Sequence, residues 1–277
     1  MQRRGRGGLA ALATRGDRLK IRHSMIARVL PNGWVDLLRQ IALFCGAYWL
    51  YRVARGLVDT RAAEAFDNAR EVIDVERGLG LFIEPAVHAW SERHELIIDA
   101  ASWMYVNSHF VVTTVALAWI YLRRNERFYF VRNMFMVAMA IALVGYVALP
   151  TAPPRFMPEW GFTDSVAAFT GVKADSGSAD LLFNPFAAIP SMHVAFALML
   201  GATMAHIARR RWAQVLWWAY TPVVTFVVVA TANHWWLDGF LGAVVALVAA
   251  ACAHGLFARA RPDVWAWNVP PRTEPAI

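Results

Sequence analysis

The sequence predicts an all-α fold: a polytopic membrane protein, a six-transmembrane-helix bundle with amphipathic interfacial helices in its first outer loop. Three observations carry this. The 277 residues are 58% hydrophobic and 17% charged, whereas soluble domains are roughly 45–50% apolar and about 25% charged. Six apolar runs come close to the ~20 residues that cross a bilayer. The basic residues between those runs gather on alternate connections.

The runs fall at 35–56, 97–122, 128–149, 190–208, 212–232 and 235–258. They define a six-span membrane domain over 35–262, between a basic, flexible tail at 1–34 and a short tail at 263–277. The N-terminal stretch is Arg-rich and has no long apolar core followed by a cleavage site, so no signal peptide is expected. One side of the bundle carries nine Lys and Arg in 1–39, four in 123–132, three in 209–211 and three in 259–272. The connections at 59–95 and 151–189 hold six, against thirteen Asp and Glu. The positive-inside rule then puts both termini in the cytoplasm and the two long loops outside, and a bacterial inner membrane is the expected location. It also accounts for the net charge of +7, so no nucleic-acid partner is needed.

The first long loop is too charged to span. Phe66, Ile73 and residues 79–82 among its acids suggest one or two amphipathic helices on the outer interface. The second carries Lys173 in a Ser- and Gly-containing stretch (173–178) and reads as a lid. The tryptophans, among them Trp212 and the pair Trp235-Trp236 at span ends, suit aromatic belts. Cys45 and Cys252 lie within apolar runs and are expected to pack, not to form a disulfide or hold a metal.

Function is concentrated in four places. Asn233-His234-Trp235-Trp236-Leu237-Asp238 sets a histidine and a carboxylate four apart where a helix is expected to begin, so that Asp238 can orient His234 from the same helical face. Pro190-Ser191-Met192-His193 opens another apolar helix. With Pro190 at its first position, the N–H groups of Ser191, Met192 and His193 would face an anion. Arg155 follows Pro150-Thr151-Ala152-Pro153-Pro154 and offers a planar fork for phosphate oxygens. His109 lies 13 residues from the inner end of the second run, roughly 20 Å up a core of about 30 Å. The alternation of spans returns all of these to the outer face. Each alone has a plain reading: a wet histidine at a helix end, an arginine anchored to headgroups, His109 hydrogen-bonded to a neighbouring helix. Their convergence points to phosphoryl transfer, with His234 attacking phosphorus and His193 protonating the departing oxygen.

At these residues the chain resembles the type 2 phosphatidic acid phosphatase superfamily, and most nearly its inositol phosphorylceramide synthase-like branch. The stretches that carry the resemblance are 68–84 (NAREVIDVERGLGLFIE), 107–110 (NSHF), 150–155 (PTAPPR), 184–193 (NPFAAIPSMH) and 233–238 (NHWWLD). The resemblance implies a metal-independent, cofactor-free phosphohistidine mechanism. In it His234 is nucleophile, Asp238 its orienter, His193 general acid and then base, and Arg155 and Ser191 bind phosphate; His109, Asn107 and Asn233 are expected in the substrate pocket. The phosphatase branch has a Lys seven residues before its first-motif Arg, Pro after that Arg, and Ser-Arg six to seven residues before the nucleophile. This chain has Ala148, Phe156, Val227 and Val228 there. Fewer cations favour a phosphodiester over a doubly charged monoester, hence a transferase with a phospholipid donor and a lipid or polyol acceptor. A phosphatase using water is the alternative. A proton-coupled transporter would spread ionisable residues along a path to both faces, and a cytochrome would use His109 and His193 as haem ligands.

Overall fold

Helices form along the apolar runs, and arginines, prolines and glycines mark the breaks between them. A computed structural model describes residues 30–56, 61–171 and 186–257, with no strand among them beyond one isolated bridge between Thr151 and Ala187. The helices are α1 (Gly33–Gly56), α2 (Ala62–Gly78), α3 (Glu84–Glu92), α4 (Glu95–Trp103), α5 (His109–Arg123) and α6 (Asn125–Ala148), then α7 (Ser165–Thr170), α8 (Met192–Ile207), α9 (Arg211–Ala230) and α10 (Trp236–Cys252). Apart from residues 30–34, the tail expected at 1–34 lies outside the described residues, as do that at 263–277 and residues 172–185 of the expected lid, Lys173 among them.

Among the described residues, three helices are long and apolar enough to cross a membrane: α6, α9, and α10 with its continuation to Gly255. The expected second span is a bent pair, α4 and α5, whose axes differ by 44°. The bend falls at a π-helical turn, Met104–Ser108, where one extra residue per turn breaks the hydrogen-bond ladder. By length and composition the candidates therefore number three, or four with the bent pair counted as one. α8 has 16 residues, about 24 Å at 1.5 Å per residue, which is short of a bilayer core. α1 has 24, but Asp36, Arg39 and Gln40 in its first turns dilute its apolarity.

α8 is the centre of the packing, against α9, α10, α6 and α5. Phe135, Ile120, Val131 and Leu200 fill the core around it. Leu38 on α1, Val115 on α5, Leu216 on α9 and Leu247 on α10 are each more than half exposed, an apolar exterior that fits lipid. Cys45 also lies on that exterior and does not pack. Two glycines let helix ends meet. A Cβ at Gly145 would come within 2.8 Å of the Pro190 ring, and one at Gly242 would collide with the Ser191 carbonyl. The ends of α6 and α10 thus close on the start of α8.

α2 and α3 lie where interfacial helices were expected. The apolar face of α2 is spent on protein: Ala65, Ala69, Val72 and Ile73 pack with Ala152, Met157, Ile189, Ala232 and Trp235. Trp235 is fully buried in that cluster, beside Phe82 and Phe162. It is a core residue, not part of an aromatic belt; Trp212, 61% exposed, remains suited to one.

Candidate active site

Three loops meet under α2. The stretch 150–155 leaves α6, 186–191 enters α8, and 231–235 joins α9 to α10. Backbone bonds lace them together: Thr151 N–H to Phe186 O (2.9 Å), Ala188 N–H to Thr151 O (3.3 Å), Arg155 N–H to Ala232 O (2.8 Å) and Ala152 N–H to Ala65 O (2.9 Å). The Trp235 indole donates to Ala152 O at 2.9 Å, and Asn68 to Pro150 O at 2.7 Å. These bonds pair the backbone groups of the three loops with one another and with α2.

His234 sits in the last of these loops, not on α10. α9 ends at Ala230, and the N–H groups of Asn233 and His234 both return to Val228 O, at 3.0 and 3.1 Å. Asp238 still meets His234, for a different reason from shared helical face. Asp238 stands three residues after Trp235, the N-cap of α10, and its carboxylate reaches back to the Trp235 N–H at 2.9 Å. From there the same Oδ2 lies 3.2 Å from His234 Nδ1. A second acceptor, which the sequence did not disclose, is the Ala188 carbonyl, 3.0 Å from the same nitrogen. A carbonyl oxygen only accepts, so Nδ1 carries the proton and Nε2 the lone pair. That is the tautomer a nucleophilic histidine requires.

The His193 ring stands 5.6 Å from the His234 ring, edge towards face. It lies in the first turn of α8, whose N-cap is Ser191. Ser191 is completely buried, and its own N–H donates to Asp238 O at 3.0 Å. The helix thus starts two residues after Pro190, and one of the three N–H groups expected to face an anion is already bonded. Tyr105, from the π-helical turn, stacks on His193 at 4.5 Å and 22°. Arg155 donates to the Asn233 side-chain carbonyl and lies 3.6 Å from Asp164. Asn233 in turn donates to Thr231 O and Oγ1. His193, His234, Asp238, Arg155, Ser191 and Asn233 are therefore gathered in one place. Asn107 gives its amide to Trp103 O within its own helix and makes no described contact with them. His109 opens α5, and its side chain lies outside what is described. Val227 and Val228 are buried among apolar neighbours.

Two further acids reach this site. Glu84 accepts from Trp236 N–H at 2.7 Å and Glu76 from Leu237 N–H at 2.8 Å. Both are almost wholly buried, and burial together with the adjacent Glu84 pushes the Glu76 carboxyl up to about 9. The signal that could have found Glu76 is its register: it shares the face of Ala65, Ala69, Val72 and Ile73, where a carboxylate needs a partner inside the protein.

A family model described as the PAP2 superfamily matches residues 70–252. No curated protein and no solved structure matches the chain.

Proposed function

The chain belongs to the PAP2 superfamily, made up of phosphatases and phosphotransferases, and from that premise we propose that it is a lipid phosphotransferase working through a phosphohistidine at the outer leaflet. The observation that carries the reading is the His234 ring: Nδ1–H is held by Ala188 O and Asp238, and His193 stands 5.6 Å away. In the first half-reaction His234 Nε2 forms a bond to the phosphorus of a phospholipid headgroup. The bond from phosphorus to the leaving oxygen breaks, and protonated His193 gives that oxygen its proton. In the second, His193 takes the proton of an acceptor hydroxyl, whose oxygen displaces His234. Arg155, fixed by Asn233, and the buried Ser191 hold the phosphoryl oxygens, with no metal required.

The surroundings favour a diester donor and an alcohol acceptor, the arrangement of the inositol phosphorylceramide synthase-like branch. Of the positions at which the phosphatase branch places extra cations, this chain has Ala148 and Val228, and the buried acids Asp238, Glu76 and Glu84 lie close by. A monoester with nearly two charges would meet net repulsion, whereas a diester brings one. Six spans are part of the same proposal, with α1, the bent α4–α5 pair and α8 joining the three long apolar helices. So are cytoplasmic termini and an outward-facing site in a bacterial inner membrane, which the arginine distribution supports.

The test incubates purified protein with a panel of phospholipids and lipid alcohols, in EDTA, and follows exchanged lipids and inorganic phosphate by mass spectrometry. Exchanged headgroups are expected. Free phosphate as the sole product would make the protein a phosphatase, and strict dependence on added Mg²⁺ would end the phosphohistidine reading. For sidedness, a Cys introduced at exposed Glu159 in a variant lacking Cys45 and Cys252 should react with an impermeant thiol reagent in intact cells. Reaction only in inverted vesicles would reverse the topology.

A further inference from the structure

Three successive N–H groups at the start of α10 are each held by a different carboxylate: Trp235 by Asp238, Trp236 by Glu84 and Leu237 by Glu76. An ordinary helix start needs one short polar side chain from its own sequence. Here two of the three acceptors come from 152 and 161 residues away, on the pair of helices that cover the site. We propose that Glu76 and Glu84 are positioning residues for the reaction: together they clamp the first turn of α10 and so fix Asp238 against His234. The proposal rests on the reading of His234 as the nucleophile.

The chemistry of the pair explains how three buried acids coexist. Glu76 Oε1 and Glu84 Oε1 are taken by backbone N–H groups, while both Oε2 atoms are buried without a hydrogen-bond partner among the described residues. Glu84 is the neighbouring acid that acts most strongly on the Glu76 carboxyl. Two such oxygens are satisfied together by one proton between them, which leaves the pair with a single charge. The groups facing it support this. Asp238 approaches from α10 with His234 behind it. His88 of α3 is bonded to Ala230 O and Thr163 instead. Arg77 of α2 turns to the Trp160 ring. No Lys, Arg or His among the described residues forms an ion pair with Glu76 or Glu84. The clamp therefore works with one proton and loosens when that proton leaves and two like charges face each other.

The experiment uses the full-length protein in vesicles with whichever lipid donor it turns over. Glu76→Ala and Glu84→Ala should lower kcat by about 100-fold, the effect of a displaced catalytic group, with little change in KM. Glu76→Gln should recover most of that loss near neutrality, since the amide accepts from Leu237 and donates to Glu84. Wild-type kcat should fall as pH rises through about 9, and Glu76→Gln should lack that fall. Full kcat in Glu76→Ala, or the same alkaline fall in Glu76→Gln, would overturn the clamp.

A second arm needs no substrate. The Glu76 carboxyl is raised from 4.5 to about 9, so the folded state holds a proton that the unfolded chain releases. The stability owed to it is complete below pH 4.5, drains away as pH rises to about 9 and is constant above. The thermal midpoint of wild type should drop across that window relative to Glu76→Gln. If wild type turns over no lipid while the midpoints behave so, the proposed function fails and the clamp stands. Parallel midpoint curves would remove the clamp whatever the protein catalyses.

Discussion

The two ends of α6 each bury a polar cluster, and the two clusters differ in how they dispose of charge. At its start, Asp36 accepts from Gln40 with one oxygen and from the hydroxyls of Tyr121 and Tyr129 with the other. Arg132 donates to Gln40 and Asn133, and Asn32 ties Tyr129 to Asn125. One acid and one base balance there, and none of the cluster's side-chain atoms is buried without a partner. At the other end of α6, roughly 24 Å along its axis from Arg132, the loops gather Glu76, Glu84 and Asp238 with two histidines and Arg155. One buried oxygen of each of the three acids has no donor among the described residues, and those of Glu76 and Glu84 are met only by the proton proposed to lie between them. A completed network fixes helices and has nothing left to offer. An incomplete one holds capacity for a proton or a ligand, and that is where chemistry belongs. The same contrast bears on a transporter. Ionisable groups are buried at both ends of the bundle, but the Asp36–Arg132 group is closed on itself.

The largest expected effects separate the two clusters. His234→Ala should abolish turnover, by about 10³-fold or more, and should leave the protein folded. Arg132→Leu should do the reverse. Removing one member of a buried charged network strands the others, at about 3–5 kcal/mol, so the thermal midpoint should fall sharply while kcat per folded molecule changes little. Turnover by His234→Ala, or an Arg132→Leu protein that is fully stable yet inactive, would break the comparison.

Asp238→Asn should be milder. In a hydrolytic triad, the matching change costs about 10⁴-fold because the histidine adopts the wrong tautomer. Here the Ala188 carbonyl, at 3.0 Å, continues to require a proton on Nδ1. We expect a loss nearer 10²-fold, removed charge without a lost tautomer. A 10⁴-fold loss would mean that Ala188 does not hold the ring.

How much of this was legible in the sequence depends on how far apart the partners lie. The His234–Asp238 pair is four residues long, and its contact was anticipated even though its geometry is that of a helix cap and not of a helical face. The three segments around Arg155, His193 and His234 were legible because the expected alternation of apolar runs returned all of them to one face, and the loops that carry them do meet. Three things were not. Ala188 acts through its backbone, which no side-chain pattern announces. Glu76 and Glu84 bond to N–H groups more than 150 residues away. The cluster of Asp36 and Arg132 was not anticipated, because its members come from α1, α5 and α6. Trp235 was misread for a related reason: its place at a span end suggested lipid, but α2 folds over it.

The smallest expected effect sharpens the incomplete cluster alone. Tyr105 stacks on His193 at 4.5 Å with the rings 22° from parallel. Offset stacking of this kind contributes about 0.5–1.5 kcal/mol, enough to hold a ring in its working orientation but not to fold the protein. Tyr105 also stands in the π-helical turn between α4 and α5, and a local irregularity of this sort places a side chain where a straight helix would not. Tyr105→Leu should therefore lower kcat by only about 2- to 10-fold, and the loss should follow the step that His193 serves. A lipid alkoxide needs a proton to leave and should be slowed, whereas a nitrophenyl phosphodiester, whose anion departs unaided, should be released at the wild-type rate in the first half-reaction. Tyr105→Phe keeps the stacked ring and should behave as wild type with both substrates. Equal slowing of the two leaving groups in Tyr105→Leu would show that the tyrosine shapes the pocket as a whole and does not act through His193.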